Sequence, residues 1–363
     1  MASFPSTSND ETLPSGTMKA LIHTSRGLPL SVLHLSSNVP IPKITNPTDV
    51  LIKVSHASLD PGASILINFI PMTFRTKPSI PETDFSGTVI ATGKGVSASR
   101  ELIPGAKVCG SAPLAAMILH GRGVIAEYVV VPAENVVLKP EALGWEEAAG
   151  LPVAGMVGLS VMDLGRVKKG ERVLVNGASG GIGSVVVQMA KKAVGEEGRV
   201  VGICSARNEG MVKGLGADEV IDYREHAPVW KYLEQRFEAE PFDVILDCRG
   251  VQELFVHCPR YLKEGKPFVS VGPARLDYSF LGVLYIVGYM ISNVLWPRWL
   301  GGVNRPYLSA RAFASLVRLE RVRRLAEDGL KVPIDSVWDL EDVLKAYEVA
   351  ESRHARGKVI VKM

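Results

Sequence analysis

The stretch that decides the fold runs from residue 171 to residue 183 and reads ERVLVNGASGGIG. Its apolar, β-branched run at 173–175 predicts a short strand, the glycines predict a tight turn, and a helical pattern begins directly afterwards at Ser184. A strand, a glycine turn and a helix start are typical of the phosphate site of a dinucleotide-binding βαβ unit, where backbone N–H groups and the helix dipole face a pyrophosphate. The alternative is a plain structural turn.

The surroundings of this turn favour the dinucleotide interpretation. In the pattern G-x-G-x-x-G the first glycine is replaced by Ala178, which is small enough to fit, while Gly180 and Gly183 are in place. A second apolar run, Arg199–Ile203, predicts the next strand of the unit. The residues of the turn that we expect to bind the coenzyme are Ala178, Ser179, Gly180, Gly181, Ile182 and Gly183.

The end of the second predicted strand indicates which coenzyme fits. An NAD site usually has an acidic residue there, which accepts hydrogen bonds from the ribose 2′-hydroxyl. This chain has Cys204 and Ser205 instead, followed by Arg207, whose guanidinium can pair with a 2′-phosphate. Tyr223 follows a third short predicted strand and offers a phenolic donor. We therefore predict NADPH; the alternative is that Arg207 is a solvated surface charge.

Composition excludes several classes of protein. The chain has 363 residues, of which 47% are hydrophobic and 22% charged, and its net charge of +3 is too small to indicate a nucleic-acid partner. The first seventeen residues lack the cationic start and apolar core of a secretory signal, so we expect a disordered leader and a cytoplasmic protein. The four cysteines are scattered without a C-x-x-C pair, which fits a reducing compartment: Cys109, Cys204, Cys248 and Cys258.

The pattern of predicted elements changes twice along the chain, which indicates an α/β protein. Short β-like runs broken by Pro and Gly predict a mostly antiparallel domain, and alternating strands and helices then predict a parallel sheet. After the parallel-sheet part, a predicted helix at 340–351 and a predicted strand at 358–362 resemble the first domain again. The predicted boundaries are 1–17 for the leader, 18–151 and 306–363 for the first domain, and 152–305 for the parallel-sheet domain.

One apolar stretch, residues 278–297, has no charged side chain. Its length reaches that of a membrane span, but it contains Gly282, Gly288, Ser292 and Asn293 and lies within a soluble fold. A span would also separate the closing strand from its sheet, so we predict none. The stretch could instead form a buried edge element, a dimer contact or an apolar lid over the substrate, and peripheral contact with a lipid surface stays open.

Several short phrases give the chain a family resemblance. They include DFSG (84–87), PGAKVCG (104–110), EAAGLP (147–152) and GKV (357–359), together with the glycine turn. In combination they resemble the medium-chain dehydrogenase/reductase superfamily, in its zinc-free, quinone-oxidoreductase-like (enoyl reductase-like) branch. The resemblance implies a GroES-like, mostly β catalytic domain built from both chain ends, with an inserted doubly wound Rossmann domain and an active site in the cleft between them. Homodimers are common in this family, which makes a homodimer an expectation by analogy.

The zinc-binding pattern of the superfamily is missing. Zinc alcohol dehydrogenases have a catalytic cysteine near the second strand and a Gly-His-Glu motif, whereas this chain has no cysteine at 58–61 and reads Glu82-Thr83-Asp84 at the motif. Zinc requires three or four converging ligands, and Cys109 with Asp84 does not suffice. The seven histidines show no i, i+4 metal spacing. We therefore predict no metal.

The expected catalytic residues also depart from the family pattern. Where relatives show Asn-Pro-x-Asp, this chain has Asp60-Pro61-Gly62-Ala63, which leaves no obvious proton donor. Asp60 either bonds the nicotinamide ribose or caps a turn, and Tyr128 and His120 are candidate donors. Gly272, after the last predicted Rossmann strand, is expected to contact the nicotinamide amide through its backbone.

These expectations combine into one leading hypothesis of function. Without a metal to polarise an alkoxide, hydride delivery to the β-carbon of a conjugated carbonyl or to a quinone remains feasible, because the carbonyl itself stabilises the developing charge. We predict an NADPH-dependent, zinc-independent reductase of α,β-unsaturated carbonyls or quinones with a small-molecule substrate, which includes a tailoring enoyl reductase. The alternative is a non-catalytic NADPH-binding sensor or a lipid-surface-associated protein.

Overall fold

The computed structural model describes residues 13–272, 280–296, 300–310 and 314–363. Most of the predicted leader therefore lies outside the described residues, as do both ends of the apolar stretch at 278–297. In chain order the described strands are β1 (Thr17–Ile22), β2 (His34–Pro40), β3 (Asp49–Leu59), β4 (Asp84–Thr92), β5 (Lys107–Ser111), β6 (Tyr128–Pro132), β7 (Val136–Leu138), β8 (Arg172–Asn176), β9 (Arg199–Cys204), β10 (Glu219–Asp222), β11 (Val244–Asp247), β12 (Phe268–Ser270), β13 (Tyr307–Ser309), β14 (Ile334–Asp339) and β15 (Lys358–Lys362).

The α-helices follow or separate these strands. They are α1 (Pro29–Val32), α2 (Pro61–Phe69), α3 (Leu114–His120), α4 (Trp145–Gly165), α5 (Gly181–Val194), α6 (Glu209–Gly214), α7 (Val229–Phe237), α8 (Gln252–His257), α9 (Phe280–Leu295), α10 (Leu316–Glu327) and α11 (Val343–Glu351).

The central part of the chain forms a six-stranded parallel sheet in the order β10-β9-β8-β11-β12-β13. The strand order reverses between β8 and β11, as in a doubly wound nucleotide-binding sheet, and ligands of such sheets bind at the carboxyl ends of the strands beside that reversal. The predicted Rossmann domain is confirmed. Its sheet extends beyond the predicted boundary at 305, because β13 pairs with β12 over Tyr307–Ser309.

The two ends of the chain share a second sheet, in the order β14-β15-β3-β4-β5-β7, with β6 also paired to β3. β15 lies antiparallel to β3 and parallel to β14, so the chain does return to the catalytic domain after the Rossmann domain. The remaining strands, β1 and β2, pair with each other. This arrangement confirms the predicted GroES-like, mostly β domain with an insertion.

α4 connects the two domains and is surrounded by both. It contacts β3 and β4 on one side and α5 on the other, and its apolar side chains point in every direction, as expected of a helix that is buried all round. Among the described helices α4 is long and apolar enough to cross a membrane by length and composition, but 78% of its apolar window is buried inside the protein. It is a core helix of the two-domain fold.

α9 carries the central part of the apolar stretch. Gln252, at the start of α8, and Asn293 exchange side-chain amide hydrogen bonds of 2.7 and 2.9 Å, which fastens α9 to the Rossmann domain. Leu284, Ile291 and Leu295 lie at helical spacing on the side of α9 opposite Asn293 and are 51 to 71% exposed. α9 therefore presents an apolar stripe at the surface of the described chain.

Candidate active site

The glycine turn has the geometry that a bound pyrophosphate requires. The chain leaves β8 through Gly177, whose φ of 72° lies in the left-handed region, and α5 then begins with none of the described side chains capping its N-terminus. Its first backbone N–H groups are thus available to an anion. A Cβ at residue 183 would lie 2.1 Å from the carbonyl oxygen of Gly177, so the close approach there requires glycine. The turn fits a dinucleotide phosphate.

The predicted adenosine-side residues come together at the ends of β9 and β10. Ser205 is buried, whereas Arg207 and Tyr223 are exposed. The backbone N–H of Tyr223 donates to the carbonyl of Cys204, which joins the ends of the two strands. Asn208, which sequence reasoning missed, joins this group to the glycine turn because its side-chain N–H donates to Ser179 Oγ at 2.9 Å. The structure therefore unites these residues; their contact with a 2′-phosphate stays a prediction.

The other side of the strand reversal is shaped by Asp247 at the end of β11. Its carboxylate accepts a hydrogen bond from Asn176 Nδ2 at 2.8 Å and from the backbone N–H groups of residues 249, 250 and 251. One strand further along the sheet, Gly272 follows β12 with a φ of 130°. These contacts fix the loops beside the cleft, and Gly272 lies at the edge where a nicotinamide ring is expected.

The loop before β15 crosses from the catalytic domain onto the glycine turn. The backbone N–H of Gly357 donates to the carbonyl of Ser179 at 3.0 Å. Arg207 Nη2 donates to the carbonyl of His354 at 2.7 Å, and Arg249 Nη1 to the carbonyl of Arg353 at 3.1 Å. The cleft between the domains is therefore closed on the coenzyme side by backbone and arginine contacts.

The floor of the cleft in the catalytic domain holds Asp60, Glu82, Asp84 and Lys358, which we call the carboxyl–lysine cluster. Asp60 Oδ2 lies 3.4 Å from Lys358 Nζ, and Asp60 Oδ1 accepts from the backbone N–H of Gly62. Glu82 accepts from the backbone N–H of Asp60 at 3.0 Å and from the Tyr347 hydroxyl at 2.8 Å. Asp60 thus caps α2, which was one of the two predicted roles; its contact with a ribose stays a prediction.

The cluster joins the catalytic domain to both α4 and the glycine turn. Asp84 Oδ2 accepts a 2.7 Å hydrogen bond from the backbone N–H of Val153 in α4. The stem of Lys358 packs between Gly150 of α4 and Gly181 of the turn: a Cβ at Gly181 would lie 2.6 Å from Lys358 Cδ. Lys358 therefore reaches the carboxylates only by passing directly beneath the phosphate turn.

Burial governs the protonation of this cluster. Burial raises the pKa of Glu82 well above its usual range, and the neighbouring Asp60 adds to the effect. Burial likewise raises the pKa of Asp84 to about 7, against the attraction of Lys358 and the hydrogen bond from Val153. Burial lowers the pKa of Lys358, but the three carboxyl groups outweigh it and leave that pKa raised. At neutral pH the cluster therefore places a cationic Lys358 beside Asp60, with Asp84 near its titration point.

The two other predicted proton donors lie elsewhere. Tyr128 is paired with Lys53 of β3, seven residues before Asp60, which corresponds to roughly 20 Å along a strand. Its ring lines a cavity of about 180 Å³ with Met18, Val39 and Ile80. His120 is exposed at the C-terminal end of α3. The structure brings neither residue together with the cluster, and their catalytic role stays a prediction.

A metal site requires several ligands in one place. Among the described residues no group of three or more His, Cys, Asp or Glu side chains could hold a metal ion. The position of the Gly-His-Glu motif of the zinc enzymes is occupied by Glu82 and Asp84, which make the hydrogen bonds given above. The residues present at this position do not form the ligand set that zinc requires.

Sequence reasoning missed Lys358, Glu82 and Tyr347 as members of one site. A charged residue at the start of the apolar strand KVIVK was a usable signal, because lysine is almost never fully buried unless it is paired. Glu82 carried a weaker signal, and its φ of 68° is visible only in the structure. Tyr347 gave no signal, since an aromatic residue on an amphipathic helix is usually a core residue.

Comparison with known proteins agrees with the fold. The family model for the alcohol dehydrogenase GroES-like domain matches residues 46–141, and the model for zinc-binding dehydrogenase matches residues 215–361. The structure of the quinone oxidoreductase from Coxiella burnetii is similar, with a TM-score of 0.76 and 27% identity, over 96% of this chain and 99% of that one.

Curated relatives match the chain over almost its whole length. The trans-enoyl reductase poxH of Penicillium oxalicum is 33% identical, covering 96% of this chain and 98% of that protein. The medium chain reductase pydE of Acremonium sp is 34% identical, covering 96% and 100%. The chain therefore belongs to the medium-chain dehydrogenase/reductase superfamily and is an oxidoreductase of a family that depends on a nicotinamide nucleotide.

Proposed function

We propose that the protein is an NADPH-dependent, zinc-independent reductase that delivers hydride to the carbon–carbon double bond of an α,β-unsaturated carbonyl compound or to a quinone. The observation that carries this proposal is the carboxyl–lysine cluster, which occupies the cleft floor where zinc enzymes of the superfamily have metal ligands. A conjugated carbonyl stabilises the developing negative charge without a Lewis acid, so the chemistry does not require one. The trans-enoyl reductases among the relatives support the same reaction.

The choice of NADPH rests on the charge at the end of β9. Arg207 has five N–H donors, of which the carbonyl of His354 takes one, so its guanidinium is oriented and still able to bind a phosphate. Ser205 and Tyr223 lie beside it, and no carboxylate follows β9 until Glu209. The glycine turn and the N-terminus of α5 would hold the pyrophosphate, as they would for either coenzyme.

Bound NADPH supplies a hydride for the β-carbon of the acceptor. The chain's own contribution is to hold the coenzyme through the glycine turn, to close the cleft with the loop before β15, and to provide charged groups at the cleft floor. Asp60 is the member of the cluster that faces the cleft, with a side chain that is 25% exposed against 6% for Lys358. We assign to Asp60 the place nearest to the nicotinamide ribose.

The test is NADPH consumption with a panel of enones, enals and quinones, followed by absorbance. We expect turnover of at least one class, a product saturated at the former double bond, and unchanged activity after exhaustive chelation. NADH should support much slower turnover at equal concentration. Protein that binds NADPH and reduces no acceptor in a broad panel would refute the proposed activity, and loss of activity on chelation would refute zinc independence.

The apolar stripe of α9 favours a second candidate, a non-catalytic NADPH-binding sensor or lipid-surface-associated protein. Three large apolar side chains exposed on one helix face would suit the headgroup boundary of a membrane. Sedimentation with anionic vesicles separates the candidates: a catalytic protein that stays in the supernatant excludes the second.

We further propose a cytoplasmic homodimer, for which the expected sedimentation mass is twice 39.1 kDa.

A further inference from the structure

We propose that Arg75, in the catalytic domain, binds a carboxylate- or phosphate-type oxyanion through the open edge of its guanidinium. Arg75 belongs neither to the glycine turn nor to the carboxyl–lysine cluster, so this site is additional to the proposed reductase site. Its physical basis is a buried cation with unused hydrogen-bond donors and no carboxylate beside it in the described part of the chain.

The burial of Arg75 is unusual for its charge. The residue is only 7% exposed, although a guanidinium stays protonated throughout the pH range of proteins. Arginine is almost never fully buried unless it is paired, because a charge loses its hydration when it leaves water. Burial lowers the pKa of Arg75, and no described carboxyl group opposes that effect. The described residues therefore leave this positive charge uncompensated.

The hydrogen bonds of Arg75 leave one edge of the guanidinium open. Only Nη1 has an acceptor in the described chain, the thioether sulfur of Met72 at 3.8 Å, and a thioether is a weak acceptor. Nε is shielded from solvent and has no hydrogen-bond partner among the described residues. Nε and Nη2 share one edge of the planar group, and their parallel N–H bonds match two oxygens of a carboxylate or phosphate.

Arg305 shows how this protein satisfies an arginine by other means. Its Nε, Nη1 and Nη2 donate to three backbone carbonyls at 2.6 to 3.0 Å, those of Leu262, Asn304 and Pro259. Arg305 is also less buried than Arg75. The more deeply buried arginine thus has fewer acceptors, which is the opposite of what the loss of hydration requires.

The backbone holds Arg75 in place just beneath the surface. Its N–H donates to the carbonyl of Met72 at 3.2 Å. The backbone N–H and the hydroxyl of Thr76 both donate to the carbonyl of Leu119, in the last turn of α3, at 3.1 and 3.0 Å. Thr76 and Lys77 are exposed, so the guanidinium lies close to solvent from which an anion can enter.

The titratable neighbours of Arg75 do not supply negative charge. His23, directly after β1, is buried, and its backbone exchanges hydrogen bonds of 2.9 and 3.0 Å with Ser79. Burial lowers the pKa of His23, the hydrogen bond to the carbonyl of Ser25 opposes this, and the charges of Arg75 and His34 lower it further. An anion at Arg75 would therefore meet neutral or positive groups.

The bound group must carry charge as well as acceptors. A water molecule would satisfy one N–H donor but would leave the buried charge uncompensated. Two sources share the required chemistry: a free oxyanion such as inorganic phosphate, and the acid group of a larger molecule. Arg75 follows α2, which begins beside Asp60 at the cleft floor, so a reducible acceptor that carries a carboxylate is the second source.

The first experiment is thermal unfolding of the full-length protein after dialysis into buffer without oxyanions. Tm is measured with about 50 mM phosphate and with chloride at the same ionic strength. The rise caused by phosphate should be about 3 °C larger in wild type than in Arg75→Met. Arg305→Met is the matched control and should keep the wild-type rise. Equal rises in wild type and Arg75→Met would overturn the proposal and assign the phosphate to another site, such as the glycine turn.

A second measurement decides the matter if Arg75→Met does not fold. In protein labelled with ¹⁵N at arginine, Arg75→Lys keeps the charge and identifies the Nε–H resonance of Arg75 by its disappearance. Phosphate, and separately acetate, should shift that resonance in wild type along a saturating curve, because a new acceptor binds the Nε–H directly. A resonance that does not respond to either anion would overturn the proposal.

A kinetic comparison distinguishes the two sources of the anion, and only this comparison rests on the proposed function. If the acceptor supplies the anion, Arg75→Met should raise KM about tenfold for an enone that carries a carboxylate and leave KM for its methyl ester unchanged. If a free ion is bound, neither KM changes and the difference in Tm persists. The first two measurements involve no turnover, so a protein that reduces no acceptor still tests the anion site, and an active reductase without an anion effect refutes only the role of Arg75.

Discussion

The two halves of the site are built in different ways. The phosphate half comes from one continuous segment, residues 177–183, whose shape is set by local backbone geometry and the start of α5. The acid half comes from Asp60, Glu82, Asp84 and Lys358, which meet only because β15 pairs with β3 across the whole Rossmann insertion. Substitutions that change the shape of the phosphate half are expected to weaken coenzyme binding. Substitutions that change the charge of the acid half are expected to alter how the stability of the protein depends on pH.

The largest expected effect is in the phosphate half. Gly183→Val should weaken binding of both coenzymes by about 100-fold or more, roughly 3 kcal/mol, because even a Cβ there would overlap the carbonyl oxygen of Gly177. Fluorescence titration measures the affinity. Gly210→Ala in α6 is the control, since a Cβ there meets nothing within 4 Å. Equal affinities of the two variants would show that the turn is not a binding element.

Asp84, in the acid half, should make the free energy of unfolding depend on pH. Asp84 has a pKa of about 7 in the folded protein against an ordinary 3.8, so the folded state holds an extra proton between these values. The stability that this group contributes is present below about pH 4 and lost as the pH rises through 7, by up to about 4 kcal/mol. Asp84→Asn should therefore gain stability relative to wild type as the pH rises from 5 to 8.5 in urea denaturation. Parallel curves for the two proteins would contradict this assignment.

A smaller effect distinguishes the two coenzymes. Arg207→Gln should weaken NADPH binding by about 2 kcal/mol, roughly 30-fold, because a charge-assisted contact to the 2′-phosphate is lost. NADH affinity should change only slightly, through the contact of Arg207 with the carbonyl of His354. Arg260→Gln, which removes an exposed arginine paired with Glu238, serves as the control. Equal losses for NADPH and NADH would show that Arg207 does not bind the phosphate.

The smallest effect compares two buried tyrosines. Tyr347→Phe removes the hydroxyl that bonds Glu82, and Tyr261→Phe removes one that bonds the carbonyl of Leu254. Each should lower the free energy of unfolding by about 1 kcal/mol. Only Tyr347→Phe should also alter the pH dependence of stability, since only Tyr347 contacts the cluster. If both variants change the pH dependence of stability in the same way, the hydrogen bond from Tyr347 to Glu82 does not influence the charges of the cluster.

Much of the fold was predictable because the decisive signals are local. The run of small residues around Gly180, the strands near 199–203 and 358–362 and the switch to alternating strands and helices each depend on a few neighbouring positions, and the structure confirms them. The domain resemblance was carried by phrases of the same local kind.

The acid half was not predictable in the same way. Asp60 was singled out from its position in a family pattern, but its partner Lys358 lies 298 residues away, and nothing in the local sequence pairs them. Tyr128 was a candidate donor, yet its face of β6 packs against Met18 and Ile80. Which face of a strand meets the cleft depends on the register of the whole sheet, which composition does not reveal.

The position of Lys358 along the chain has a consequence for biosynthesis. The ribosome completes the entire Rossmann domain before it makes β15, so a nascent chain can form the glycine turn while the ammonium that passes beneath it does not yet exist. Ordering of the cleft then waits for Gly357 to bond Ser179 and for Lys358 to reach Asp60. A chain released before this strand is translated would leave the buried Glu82 and Asp84 and the half-buried Asp60 with no cation to balance them, which gives quality-control proteases a means of telling unfinished molecules from finished ones.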